Sequence, residues 1–164
     1  MNLIVAIYIS MQICVVAWFD FKTLKISNLW TIFNFVLYLL FPLILPEAYT
    51  YQLSTWFIPV MFIIVGFVLF KLNIMGAGDS KYLFSLFLLI PSSLHDLMLM
   101  LLLELTCGIG LILLSWRIIS KWEEFKLIFV SGVGSFKTIM GSRFTYAPVI
   151  MLSWFWFLFQ VGIQ

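Results

Sequence analysis

The chain has 164 residues, 64% of them hydrophobic and 10% charged, and its net charge is +2. A soluble domain is about half apolar and about one-quarter charged, so this composition excludes an ordinary soluble fold and implies one membrane-embedded domain over residues 1–164. The small positive charge gives no argument for a nucleic-acid partner.

A membrane-spanning helix needs about 20 apolar residues. In chain order the runs that meet this are 2–19, 28–46, 54–72, 96–117 and 144–162. The first run, MNLIVAIYIS, has no Lys or Arg ahead of it. A secretory leader carries a positive n-region, so this run reads as a retained span. A sixth run, YLFSLFLLIPSSL at 82–94, is short for a span and could also be a re-entrant segment.

Charge placement decides between the two. Lys22 and Lys25 follow the first span, Lys71 and Lys81 flank the connection after the third, and Arg117, Lys121, Lys126, Lys137 and Arg143 lie between the last two. If the short run crosses, all nine cations fall on one side, as the positive-inside rule prefers. The expectation is therefore an all-α bundle of six transmembrane helices in the lipid bilayer, with both termini outside and the basic loops in the cytoplasm. Within the third inner loop, 118–143, KWEEFKLIFV mixes charge with Trp and Phe and suits an interfacial helix between helices five and six.

Cys14 and Cys107 sit in apolar runs without a CxxC partner. They read as two small buried hydrophobes, and neither a zinc site nor a disulfide framework is expected. No metal or other cofactor is implied.

Two carboxylates stand out. Asp20 begins the first inner loop, in WFDFKTLKISN, and Asp79 ends the second, in MGAGDSK. On the topology above both lie at the cytoplasmic ends of helices, and charge near the hydrocarbon boundary tends to accompany function. A helix from Asp79 to Leu94 would be about 24 Å long against a core of about 30 Å, so Asp79 should be partly desolvated. Gly76 and Gly78 would permit positive φ and close backbone approach where the chain turns back. A structural alternative makes Asp79 an N-cap and Asp20 a loop charge balanced by Lys22. The functional reading is a dyad. At about 4 Å and an effective dielectric near 20, two carboxylates repel by roughly 4 kcal/mol, or about three pKa units. One would hold a proton near neutral pH while its partner stays ionised, which is the arrangement that activates water against a carbonyl. Lys22 and Lys81 flank the pair; they would oppose the pKa rise and could hold an acidic substrate group.

The string GAGD followed by SK resembles the GxGDxK motif of type IV prepilin peptidases and archaeal preflagellin peptidases, which are GxGD-type membrane aspartyl proteases. Their second hallmark is an Asp after the first span, then a basic residue, then Ile-x-Asn; Asp20, Lys22, Ile26 and Asn28 match it. TYAPVIM is similar to the family's aromatic-Gly-Pro segment, with Ala147 where Gly is usual and Pro148 retained. The resemblance implies cleavage of prepilin leader peptides on the cytoplasmic side of a bacterial inner membrane. It makes Asp20 and Asp79 the catalytic pair and Lys22, Asn28, Gly76, Gly78 and Lys81 supporting residues. Long members carry paired CxxC motifs between the first two spans, linked to N-methylation. Here only Phe21 to Ser27 occupy that place, as in the short form of tight-adherence (Flp) pilus systems, so methyl transfer is not expected. Presenilin-like relatives place Tyr before the first Asp inside a helix; Phe19 and a helix-end Asp20 make that relation more distant.

Other classes remain open on residues alone. Glu104, in MLLLELTCG, lies mid-span and could serve a small transporter, although it reads more simply as a protonated Glu hydrogen-bonded between helices. The spans otherwise hold little polarity beyond Gln12 and Asn34. A non-enzymatic subunit of pilus or secretion machinery is a further alternative. His95 and Asp96 form an outer turn with no metal or proton role expected, and the terminal SWFWFLFQ reads as lipid contact.

Overall fold

A computed structural model describes residues 1–23, 25–46, 49, 52–71, 75–122 and 146–162. Among these residues the regular structure is helical throughout: α1 (Leu3–Thr23), α2 (Asn28–Ile44), α3 (Leu53–Lys71), α4 (Ala77–Leu89), a 3-10 turn (Ser92–Leu94), α5 (His95–Ser120) and α6 (Ala147–Val161). The predicted interfacial helix, with Lys126, Lys137 and Arg143, lies outside the described residues.

The shortest of these α-helices sits at the centre. α4 packs against both α2 and α3, and α6 packs against α1 and α5. From Leu86 to Leu89 every α4 side chain is fully buried, as are Tyr82 and Ser85. A helix apolar on all sides belongs in the interior of a bundle, and the runs around α4 supply that interior. Phe62 of α3 packs on Phe87 with ring centroids 4.7 Å apart, and Trp56 packs edge-on against Tyr38 of α2 at 5.5 Å.

Polar side chains tie the same helices together. Asn34 of α2 accepts hydrogen bonds from Gln12 Nε2 (2.6 Å) and the Tyr8 hydroxyl (3.0 Å) of α1, and its amide donates to Ser85 Oγ of α4 at 3.3 Å. Buried polar groups stabilise and specify packing only when they are paired, so Gln12 and Asn34 fix the rotation of α1 and α2 about α4.

Several expectations change. α4 has 13 residues, about 20 Å of helix, and ends at Leu89, with Ile90 as its C-cap before Pro91; the predicted helix from Asp79 to Leu94 is broken there because proline ends the hydrogen-bond ladder. α1, α3 and the segment Ser92–Ser120 are long and apolar enough to cross a membrane, whereas α2 and α6 are shorter apolar helices. Helix length thus supports three of the six predicted crossings. Cys14 and Cys107 are exposed, not buried, because an apolar run in a membrane chain has an outward face as apolar as its inward one. SWFWFLFQ is only half lipid contact: Phe155, Trp156 and Phe159 face outward, but Trp154 and Phe157 are fully buried and Trp154 Nε1 donates to Ser10 Oγ at 2.9 Å. Glu104 is exposed and bonds to no other helix among the described residues.

One glycine sets the spacing of α3 and α4. A Cβ placed on Gly66 would collide with the Ser80 side chain, so the two helices approach closely only without it. Gly66→Ala should therefore destabilise the bundle by about 1–3 kcal/mol, the usual cost of overpacking. Thermal unfolding in detergent should show a lower Tm, and Ser80→Gly should restore it. An unchanged Tm in the single variant would contradict this packing.

Candidate active site

At one end of the bundle the two sequence motifs touch. Asp20 lies in the last turn of α1, and residues 25–27 lead directly into α2, where Ser27 accepts the Leu29 N–H at 3.3 Å as an N-cap. α4 starts against this turn. A Cβ on Gly78 would stand 3.1 Å from the Ile26 carbonyl oxygen, so the absence of a side chain lets the start of α4 press against the Asp20 loop. Close approach is the property these glycines use. Gly76 has φ −75° and ψ 145°, ordinary extended backbone, so positive φ is not needed there.

Asp79 is the third residue of α4, with Gly76 as the cap. Its Oδ2 reaches back to accept the Gly76 N–H at 3.0 Å, half of a capping box. The N-cap alternative is thereby corrected: Asp79 sits inside the first turn, where the helix dipole also favours negative charge. Asp20 accepts a hydrogen bond from the Ala147 N–H at 3.3 Å, across 127 residues of chain. Ala147 opens α6 and Pro148 follows it, so proline occupies a first-turn position whose N–H has no helical partner. Two helix N-termini thus each direct a backbone donor at one carboxylate, the arrangement that favours anions.

Both carboxylates are buried, Asp20 at 4% and Asp79 at 7% exposure. Asp79 precedes the apolar run 82–94, and its carboxyl is pushed up to about 6, mainly by burial and further by the negative charge of Asp20, against the lowering effect of the Gly76 N–H. The two carboxyls therefore share one electrostatic site. Neither Lys22 nor Lys81 is among the charges acting on Asp79. Lys22 is exposed, its Nζ 4.6 Å above the Trp18 ring, and Lys81 lines a small recess between α3 and α4 with Phe67 and Phe70. Asn28 is exposed at the start of α2.

Sequence reasoning left out the third wall. Tyr146, just ahead of α6, meets Thr106 of α5 at 2.8 Å. Thr106 donates its hydroxyl to the Leu102 carbonyl at 2.6 Å, so Tyr146 is the donor to Thr106. Tyr146 lies beside the pair, because the residue that follows it, Ala147, gives its N–H to Asp20. The signal available was Pro148, because a proline at a first-turn position locates a helix start and its free N–H groups.

Two apolar grooves open beside the site. One, of about 730 Å³, runs between α1 and α2 past Val16, Phe19, Ile26 and Trp30. The other, of about 480 Å³, lies between α3 and α5 and reaches the site at Met75, Leu83 and Tyr146. Among the described residues no cluster of His, Cys, Asp and Glu has the composition of a metal site.

Residues 6–115 match the type IV leader peptidase family, a stretch that holds both aspartates and two-thirds of the chain, and the protein belongs to that family. It is thus a peptidase by descent, built from apolar membrane helices. No curated protein and no solved structure matches it.

The pairing of the carboxyls is directly measurable. In detergent-solubilised protein the Asp79 carboxyl should titrate near 6 by carboxyl-resolved infrared or ¹³C spectroscopy. Removing the Asp20 charge by Asp20→Asn takes away a like charge, so the midpoint should fall. A midpoint that stays in place would mean the two groups do not interact.

Proposed function

We propose that the protein is an aspartic endopeptidase that removes leader peptides from type IV prepilins, with Flp-type pilins or pseudopilins as its substrates. The observation that carries this reading is one buried site in which burial and then the charge of Asp20 raise Asp79, each carboxylate held by the first N–H groups of a helix. Family membership supplies the leader-peptidase chemistry.

On this reading Asp79 holds the proton and Asp20 is the base. Asp20 takes a proton from water as the water oxygen attacks the scissile carbonyl carbon, and Asp79 gives its proton to the carbonyl oxygen. Collapse of the tetrahedral intermediate breaks the C–N bond. The new amine takes up the proton that Asp20 received, and the O–H proton of the intermediate returns to Asp79, restoring the starting state. Every proton is accounted for by two carboxyls and one water, so the cycle calls on no metal or other cofactor. Asn28 and Lys22, exposed around the Asp20 loop, are positioned to meet the polar leader, while Gly76, Gly78 and Lys81 shape and flank the Asp79 turn. The apolar groove at Met75, Leu83 and Tyr146 suits the hydrophobic helix that follows the cut in such a substrate.

The same reading assigns six crossings of a bacterial inner membrane, with the site and the basic loops on the cytoplasmic face. The short apolar run from Tyr82 then crosses among longer helices, with Asp79 ahead of it at the cytoplasmic mouth of the bundle. A transporter reading loses its main support, because Glu104 faces outward and does not line a path through the bundle.

In membranes containing a prepilin substrate, Asp20→Asn and Asp79→Asn should each lower cleavage by at least about 100-fold, the scale of a lost acid or base. Full processing by either variant would sink the proposal, and full complementation by both would favour an assembly role instead. Because the Asp79 carboxyl is raised, its protonated form is present below about pH 6 and lost above it. The ratio kcat/KM should therefore fall about tenfold per pH unit above that limb. A profile flat from pH 5 to 9 would contradict Asp79 as the proton donor.

A further inference from the structure

We propose that α5 pairs with α5 of a second copy of this chain, along a seam centred on Glu104. Glu104 is the tenth residue of a 26-residue helix, about 14 Å from its start, so it lies well inside the hydrocarbon when that helix crosses. It is exposed, and it makes no hydrogen bond or ion pair among the described residues. A carboxyl that faces hydrocarbon without a partner is expensive, and intramembrane ionisable groups almost always face a polar partner or cavity. Among the described residues that partner is not supplied; a second copy of the chain supplies it.

The surface around Glu104 is shaped for a helix. Met100, Glu104, Gly108, Leu111 and Ser115 recur at steps of four and three, the spacing of a seam between two helices, and all five are exposed. A Cβ on Gly108 would meet nothing within 4 Å, so glycine there answers no packing need among the described residues. Small residues on a membrane helix let a second backbone come close. One turn from Glu104, Gly108 provides that closeness where the carboxyl needs it.

The occupant follows from the chemistry of the group. A neutral carboxylic acid is donor and acceptor at once, so two of them satisfy each other with two hydrogen bonds. Copies of one membrane protein share one orientation, and a two-fold axis along the membrane normal brings each seam residue opposite its own counterpart at the same depth. Glu104 then meets Glu104 of the second copy with nothing further required. A partner of different sequence would have to bring a matching polar group to that depth. The opposite face of α5 remains free for the site: Thr106 and Leu113 are directed towards the groove by Tyr146, so pairing at Glu104 leaves that groove open.

Cys107 lies beside the seam and is exposed, which gives a native reporter. Full-length Cys14→Ser protein in its membranes, oxidised with copper phenanthroline, should form a disulfide-linked dimer that Cys107→Ser abolishes. Glu104→Leu should cut the yield at least fivefold, whereas Glu104→Gln, whose amide also pairs with itself, should keep more than half. In a cysteine-free background Leu111→Cys should cross-link and Leu113→Cys should not; this pair leaves Glu104 in place and tests the face even where Glu104→Leu fails to insert. No dimer through either Cys107 or Leu111→Cys would overturn the proposal. So would a Glu104→Leu yield equal to wild type, or a Cys107 link to a protein of different mass in place of the dimer.

Discussion

The structure depends on one constraint: two carboxylates are buried in an apolar bundle, and each must find a donor. A buried carboxylate without a hydrogen bond is among the most unfavourable groups a fold can hold. Here the solution is geometric. Asp79 folds back on the Gly76 N–H within its own turn, and Asp20 takes the Ala147 N–H from the far end of the chain. The second bond requires α6 to start beside the end of α1, so the active-site end of the bundle is set by where a carboxylate is satisfied. Burial raises the Asp79 carboxyl, and the negative charge of Asp20 raises it further, which gives the pair its acid and base halves.

The rest of the fold serves that end. α4 is short, central and almost fully enclosed, so Asp79 is held by a helix with little freedom to shift. Gly66 lets α3 lie close to α4 at Ser80, and Gly78 lets α4 lie close to the Ile26 carbonyl. The Asn34 network then fixes α1 and α2 about the same helix. A site formed from three chain segments stays in register because each contact is made on a rigid element.

Much of this was legible in the residues. The membrane class, the helical elements and the two motifs could be read from runs and from GAGDSK and DFKTLKISN, because hydropathy and short polar interruptions are local properties. What escaped was relational. Nothing local distinguishes the inward face of an apolar run from its lipid-facing side, which is why the exposure of Cys14 and Cys107, the burial of Trp154 and the lack of a partner for Glu104 among the described residues are not legible in the sequence. Of the two properties expected of Gly76 and Gly78, close approach is the one in use, leaving space for Asp79 and Ile26, and positive φ is not needed. Ala147 drew attention only as a departure from a family pattern; its backbone N–H, which any residue but proline supplies, is what reaches Asp20. A side-chain motif cannot reveal a backbone donor.

The central claim is that the Asp20 loop and the Asp79 turn are in direct contact. In the structure a Cβ on Gly78 would lie 3.5 Å from the Ile26 Cβ, within the range a disulfide spans. The double variant Ile26→Cys/Gly78→Cys, made in a background without Cys14 and Cys107, tests this directly by mass spectrometry of the oxidised, membrane-embedded protein. The account predicts an intramolecular disulfide between residues 26 and 78 in most molecules. Free thiols at both positions under oxidising conditions would show that the two motifs do not meet, and the shared carboxylate site would fall with them.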